Sequence, residues 1–157
     1  MTFIMDMVKN GGVLVGIEAT EKEPAIDETL TAFCNRGKYS KIQRTKLKNA
    51  IMEREGTGST GIGNGGAIPH CRIGKQDEVQ LYISVAKNDI EFQSIDGKPV
   101  KILFLIVLPK ENSSLHSEAL KAIASLMKNE RFFRYLKEAT SEEIILETIE
   151  DYEAEIA

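Results

Sequence analysis

The sequence predicts an α/β domain, a mixed β-sheet flanked by helices on both faces. Three observations carry the prediction. Apolar residues recur at helical spacing in four separate segments, two segments between them read as strands, and the helical segments lie both before and after those strands.

Gly12 to Glu18 (GVLVGIE) reads as a first strand. Ile26, Leu30, Phe33 and Cys34 then repeat at helical spacing as far as Gly37, a residue suited to a helix C-terminus. Ser40 and Gln43 have the form of a capping box, in which each side chain satisfies a free backbone N–H, so a second helix starts there. Its apolar stripe is Leu47, Ala50 and Ile51, with Arg54 continuing the same face until the helix runs out at Gly56. Beyond the glycine-rich loop the period becomes two: Val79, Leu81, Ile83 and Val85 alternate with Gln80, Tyr82 and Ser84, the pattern of a half-buried strand. Ile102 to Leu108 is apolar throughout, as in a strand covered on both faces, and Ser94 to Pro99 is turn chemistry between the two. From Ser113 the helical period returns with Ala119, Leu120, Ile123 and Met127, and His116 lies one turn ahead of that stripe. Ser113 and Ser114 are candidate N-caps, which places His116 in the first turn. Thr140 to Glu143 reads as another capping box, opening a last helix with Ile144, Ile145, Thr148, Ile149 and Tyr152 inward.

At 157 residues the chain is most simply one domain with a real core. The longest strongly apolar run is about a third of a membrane span, and no signal-peptide pattern opens the chain, so a cytoplasmic protein without membrane insertion is expected. Two cysteines, Cys34 and Cys71, make no disulfide framework, and with two histidines at these separations they match no zinc spacing, so no metal is expected. The net charge of −4 hides an asymmetry: Glu138 to Ala157 holds eight acids and no Lys or Arg, leaving twenty bases against sixteen acids before it. Seven of those bases lie between Arg36 and Arg54, but only Tyr39 among them could stack on a base, so solvated helix faces are expected rather than a nucleic-acid groove.

Arg54 to His70 (REGTGSTGIGNGGAIPH) holds six of the twelve glycines. It matches G-x-G-x-x-G at Gly56 to Gly61 and again at Gly61 to Gly66. A dinucleotide site needs a strand leading in and a helix leading out, whereas here a charged helical segment leads in and a proline leads out. A Walker A loop would need a Gly-Lys-Ser/Thr ending, which is absent. What the loop retains is the capacity to converge backbone N–H groups on an anion, with Ser59 and Thr60 adding hydroxyls. Pro69 stiffens the backbone before His70, so a firmly held imidazole beside an anion nest suggests phosphoryl chemistry. The plainer reading of His70 is a turn histidine bonded to backbone. Cys71 is adjacent, but neighbours on an extended segment face opposite ways, so a Cys-His hydrolase pair is disfavoured and Cys71 reads as packing.

Arg54-Glu55, Gly58-Ser59-Thr60-Gly61-Ile62-Gly63-Asn64-Gly65 and Ala67-Ile68-Pro69-His70, with His116 ahead of a leucine-rich helix, closely resemble the enzyme IIA components of the bacterial phosphoenolpyruvate-dependent sugar phosphotransferase system, in the fructose/mannitol and nitrogen-regulatory family. Weaker similarity runs from about Lys22 to Ile149, the first twenty residues fit poorly, and Cys71 and Ser117 depart from the family's usual small and apolar residues. The resemblance implies one domain over residues 1–157, with its core at about 20–152 and the mannitol/fructose-type fold. It further implies a phosphohistidine carrier that accepts a phosphoryl group from HPr on one nitrogen of His70, Nε2, and passes it to a cysteine of an enzyme IIB component, without nucleotide, metal or other cofactor. Arg54 and His116 would be accessory catalytic residues, with Gly58, Ser59, Thr60, Gly61, Gly63, Asn64 and Gly65 around the phosphate. The alternative is a nitrogen-regulatory type of protein that controls partner proteins according to its phosphorylation state. Arg54 could offer its planar fork to phosphate or cap its own helix, and a neutral His116 could donate one N–H to phosphate or simply pack above the core stripe.

Overall fold

The computed structural model describes residues 3–74 and 77–157. In chain order the elements are α1 (Phe3–Lys9), β1 (Gly12–Ile17), α2 (Lys22–Arg36), α3 (Lys41–Gly56), β2 (Gly61–Gly63), β3 (Gly66–Ala67), β4 (His70–Gly74), β5 (Gln80–Ile90), β6 (Val100–Pro109), α4 (Ser113–Lys128), α5 (Glu130–Lys137) and α6 (Glu142–Ile156). The strands form one sheet in the order β1-β5-β6-β3-β2, with β4 pairing β6 beyond β3. It is mixed: β5 and β2 run antiparallel to their neighbours β6 and β3, whereas β1 on β5 and both β3 and β4 on β6 are parallel.

β6 shows why the sheet needs helices on both faces. Ile102, Phe104, Ile106 and Leu108 join one core with residues of α1, α4, α5 and α6, while Leu103, Leu105 and Val107 join another with residues of α2 and α3. Every one of these side chains is buried, as the unbroken apolar run requires. β5 differs from the half-buried strand its alternation predicts, because Gln80 to Ala86 is buried on both faces. Its polar positions are satisfied rather than solvated: Ser84 Oγ lies 2.7 Å from Thr29 Oγ1, and Gln80 Oε1 accepts from the Tyr39 hydroxyl at 3.1 Å.

The Ser40–Gln43 capping box forms in both directions. Two other helix starts differ from expectation. α6 is capped by Ser141, whose hydroxyl accepts from Ile144 N–H, so no box with Glu143 forms and Ile144 turns outward at 38% exposure. α4 is capped by Asn112 in the left-handed region rather than by Ser113 or Ser114, which puts His116 at the fourth helical position. Asn129 caps a separate α5, and α1 docks through buried Glu153, whose carboxylate accepts Ile4 and Met5 N–H at 2.8 and 2.9 Å. No helix among the described residues is long and apolar enough to cross a membrane.

Candidate functional site

The glycine-rich segment is a hairpin. β2 and β3 pair through Gly61–Ala67 and Gly63–Gly66, and Asn64 and Gly65, both at positive φ, make the turn that an Asn-Gly pair favours. Thr60 C=O accepts Ile68 N–H at 3.0 Å, and beyond this bond the chain leaves the ladder at Pro69, which has no N–H to offer. It rejoins β6 at once: Pro69 C=O accepts Ile106 N–H, and His70 stands opposite Ile106. β3 and β4 are thus two pieces of one line along β6, and His70 is the first residue past the break, where β2 no longer flanks the line.

Alternation fixes which way each side chain faces. Ile68 belongs to the core shared with α4 and Cys71 to the core shared with α2 and α3, so His70 lies on the α4 side and Cys71 on the opposite side. Burial pushes the Cys71 thiol up to about 11, as a packing cysteine requires.

His70 is 7% exposed. Its Nδ1 lies 2.8 Å from Ile68 C=O, and because a carbonyl can only accept, Nδ1 carries the hydrogen. The neutral ring therefore has its lone pair on Nε2, which makes no hydrogen bond among the described residues and is not one of the sealed side-chain atoms lacking a partner. Burial lowers the imidazole pKa below 6.5, and the Arg54 and Arg72 cations act in the same direction against the Ile68 bond and the Glu55 carboxylate. At neutral pH the ring is consequently an uncharged base whose Nε2 lone pair is left without a hydrogen bond among the described residues.

Arg54, half-buried on the last turn of α3, donates from Nη1 to Gly58 C=O at 2.8 Å and to Thr57 Oγ1 at 3.2 Å. Its Nη2 and Nε groups make no hydrogen bond to any described residue. Arg54 thus ties the loop just past its helix rather than the helix's own last carbonyls, and a guanidinium face stays available. His116, 5% exposed, donates from Nε2 to Pro109 C=O, while its Nδ1 is sealed without a partner among the described residues. The N–H that could have served a phosphate is engaged within the protein.

The seven loop residues are not gathered at one point. Gly58, Ser59 and Thr60 lie on the His70 side of the hairpin, leading out of the helix that carries Arg54. Gly65 C=O accepts Lys101 N–H, five residues before Ile106 on β6, so the Asn64-Gly65 turn is about 16 Å from the level of His70. Gly61 and Gly63 run between. Several of the amides that could cradle an anion have protein acceptors: Thr60 N–H bonds Glu55 Oε1, Gly61 N–H bonds Ser59 Oγ and Asn64 N–H bonds Asp96 Oδ2. Local spacing alone assigns no role to Glu55, Lys22 or Arg72. Glu55 was visible as an acid following an inward arginine, but its Lys22 partner arrives from another helix at 3.1 Å, beyond the reach of local spacing.

Fold and site together define a mixed α/β domain organised around one buried, uncharged, Nδ1-anchored imidazole. The chain belongs to the family described as Phosphoenolpyruvate-dependent sugar phosphotransferase system, EIIA 2, whose model matches residues 6–152. It is 32% identical over 150 residues to a fructose-specific EIIABC component of Bacillus subtilis, covering 96% of this chain and 23% of that protein. It is 30% identical over 135 residues to a fructose-specific EIIA component of Haloferax volcanii, covering 86% and 84%. A nitrogen regulatory protein of Escherichia coli is 37% identical over 106 residues, 66% of this chain and 64% of that one. The fold is shared with the solved IIA-Ntr of Neisseria meningitidis, at a TM-score of 0.78, 23% identity and coverage of 87% and 92%. It is shared too with the IIA mannitol protein of Escherichia coli solved in complex with phosphorylated IIB, at 0.67, 18%, and 88% and 94%.

Proposed function

We propose that this chain is a phosphohistidine carrier that takes a phosphoryl group from an HPr-type protein onto His70 Nε2 and delivers it to a cysteine of an enzyme IIB component. The observation that carries the reading is the Nδ1–H bond to Ile68, which leaves the Nε2 lone pair as the only nucleophile the ring offers. In the transfer, the P–N bond of the donor phosphohistidine breaks as the P–Nε2 bond forms, and the donor imidazole recovers the bonding pair. In the second step the IIB thiolate attacks phosphorus and His70 regains its lone pair. No nucleotide, metal or other cofactor enters this balance. Arg54 offers Nη2 and Nε to the equatorial oxygens, the Gly58 to Thr60 segment walls the site beside it, and His116 packs on the same side of the sheet as His70. Gly61, Gly63, Asn64 and Gly65 act by shaping the hairpin that fixes where Thr60 and Ile68 meet.

The relatives' names support fructose-system transfer, and the solved complex of a fold neighbour with phosphorylated IIB supports a protein recipient. Incubation with phosphoenolpyruvate, enzyme I and HPr is expected to give an acid-labile, base-stable phosphoprotein that His70→Ala abolishes. Labelling that survives this substitution refutes the assignment. The 37% identity to nitrogen regulatory proteins favours a second reading on the same chemistry, in which phosphorylation switches the grip on a regulated partner. Partner sets that are identical with and without phosphorylation refute it.

A further inference from the structure

Arg54 and Glu55 are consecutive on the last turn of α3, and they hold two points of one short segment. Arg54 grips Gly58 C=O, while the Glu55 carboxylate accepts both Thr60 N–H, at 3.2 Å, and the Thr60 hydroxyl. The Glu55 side chain is 2% exposed, and its charge is met by Lys22 Nζ from the start of α2 at 3.1 Å; the same ammonium reaches Ser59 Oγ at 3.4 Å. Ser59 Oγ in turn accepts Gly61 N–H and donates to Phe92 C=O. The contacts continue toward His70. Thr60 C=O holds Ile68 N–H, and Ile68 C=O holds His70 Nδ1–H.

The Ile68 carbonyl matters because it lies at the break between β3 and β4, where the following proline gives the ladder no donor. The same residue is held through its N–H to Thr60, which with the Pro69 bond to Ile106 brackets the carbonyl on both sides. We propose that Glu55 is a positioning residue for His70: the carboxylate fixes Thr60, Thr60 fixes Ile68, and Ile68 selects the tautomer that leaves Nε2 unprotonated. Arg54 and Glu55 thereby divide the work of one helix end, with the cation facing the incoming group and the anion anchoring the frame. Ring nitrogens that are anchored through the protein frame depend on such outer contacts for tautomer and orientation. The proposal rests on the reading of His70 as phosphoryl acceptor.

The test compares wild type, Glu55→Gln and Thr60→Val for phosphoryl transfer from phosphorylated HPr and for the nitrogen spectrum of His70. Glu55→Gln is expected to slow transfer at saturating donor by about 10- to 100-fold, the scale of a small misplacement, with the KM for the donor held within about twofold. The His70 ring should show Nε2–H form mixed with the wild-type Nδ1–H form. Thr60→Val keeps the backbone donor but loses the hydroxyl, so it should move both readouts the same way to a smaller extent, and it decides the matter where Glu55→Gln does not fold. Wild-type rate together with a pure Nδ1–H ring in the folded variants overturns the role of Glu55 alone. A wild-type chain that takes no phosphate from HPr overturns instead the reading beneath it.

Discussion

Replacing Lys22 by methionine removes the only cation in ion-pair contact with Glu55 among the described residues, and the consequence can be worked from the pair's geometry. The ions are 3.1 Å apart, with side-chain exposures of 15% for Lys22 and 2% for Glu55. Breaking a buried pair by deleting one partner costs about 3–5 kcal/mol, because the remaining charge has lost both water and counterion. Two Thr60 donors still face Glu55, and Lys22's partial exposure gives water a path to the gap, which places Lys22→Met near about 3 kcal/mol. The methionine stem can keep apolar contact with Phe92, over whose ring the ammonium sits at 4.8 Å, so the cation–π loss adds only about 0.5–1 kcal/mol. For a chain of this size the combined cost of about 3.5–4 kcal/mol corresponds to a fall in Tm of roughly 7–16 °C. Lys22→Met combined with Glu55→Gln should be less damaging than Lys22→Met alone, since the glutamine carries no stranded charge and still offers Thr60 an acceptor. Urea unfolding of wild type, both single variants and the double variant measures this coupling. A Lys22→Met cost below about 0.5 kcal/mol, or a double-variant loss equal to the sum of the singles, refutes the idea that the pair works as a buried unit.

Titration of His70 should give a midpoint below the unperturbed 6.5, because burial and the Arg54 and Arg72 cations all oppose the charged ring. The unfolded chain then takes up this proton first as pH falls, so His70 contributes stability that is present above about pH 6.5 and lost on descent toward the lower folded value. A ring-proton titration midpoint at or above 6.5 contradicts the assignment of an uncharged, desolvated nucleophile. Gly66→Ala should destabilise the domain by about 1–3 kcal/mol, because the new Cβ would lie 2.7 Å from Phe133 Cζ and 2.4 Å from Met127 Cε. The methionine end can move, but the ring is held in the core against Phe104, so an unchanged urea midpoint would show that α5 is not seated as described.

Local chemistry made most of the helices and the two long strands legible. The Ser40–Gln43 box and the apolar run from Ile102 to Leu108 each express a single rule, and the structure follows both. Expectations failed where a distant residue decided the outcome. Gln80 and Ser84 look solvent-facing in isolation, but Tyr39 and Thr29 supply their partners across the α2 side of the sheet. Asn112 displaced the serines as the cap of α4 because its side chain reaches Leu115 N–H from a left-handed backbone, a conformation that asparagine tolerates. At the candidate site, the motif points to His70, Arg54 and His116, whereas the hydrogen-bond directions that assign their protons depend on the carbonyls of Ile68, Gly58 and Pro109 and cannot be read from residue types.

The hairpin clarifies why so many glycines precede one histidine. At Asn64 and Gly65 the chain must turn with positive φ, and at Gly66 there is no room for a side chain beneath Phe133 and Met127, so those positions serve the turn and the packing. The turn returns the chain alongside itself with Thr60 opposite Ile68, and the proline then ends the pairing one residue before His70. By alternation, an imidazole one position earlier or one position later would face the α2 and α3 core where Ala67 and Cys71 pack, and two positions earlier its backbone would be paired with Thr60. Position 70 is therefore where the ring can be desolvated enough to stay uncharged, anchored through Nδ1, and still present Nε2 at the end of the hairpin.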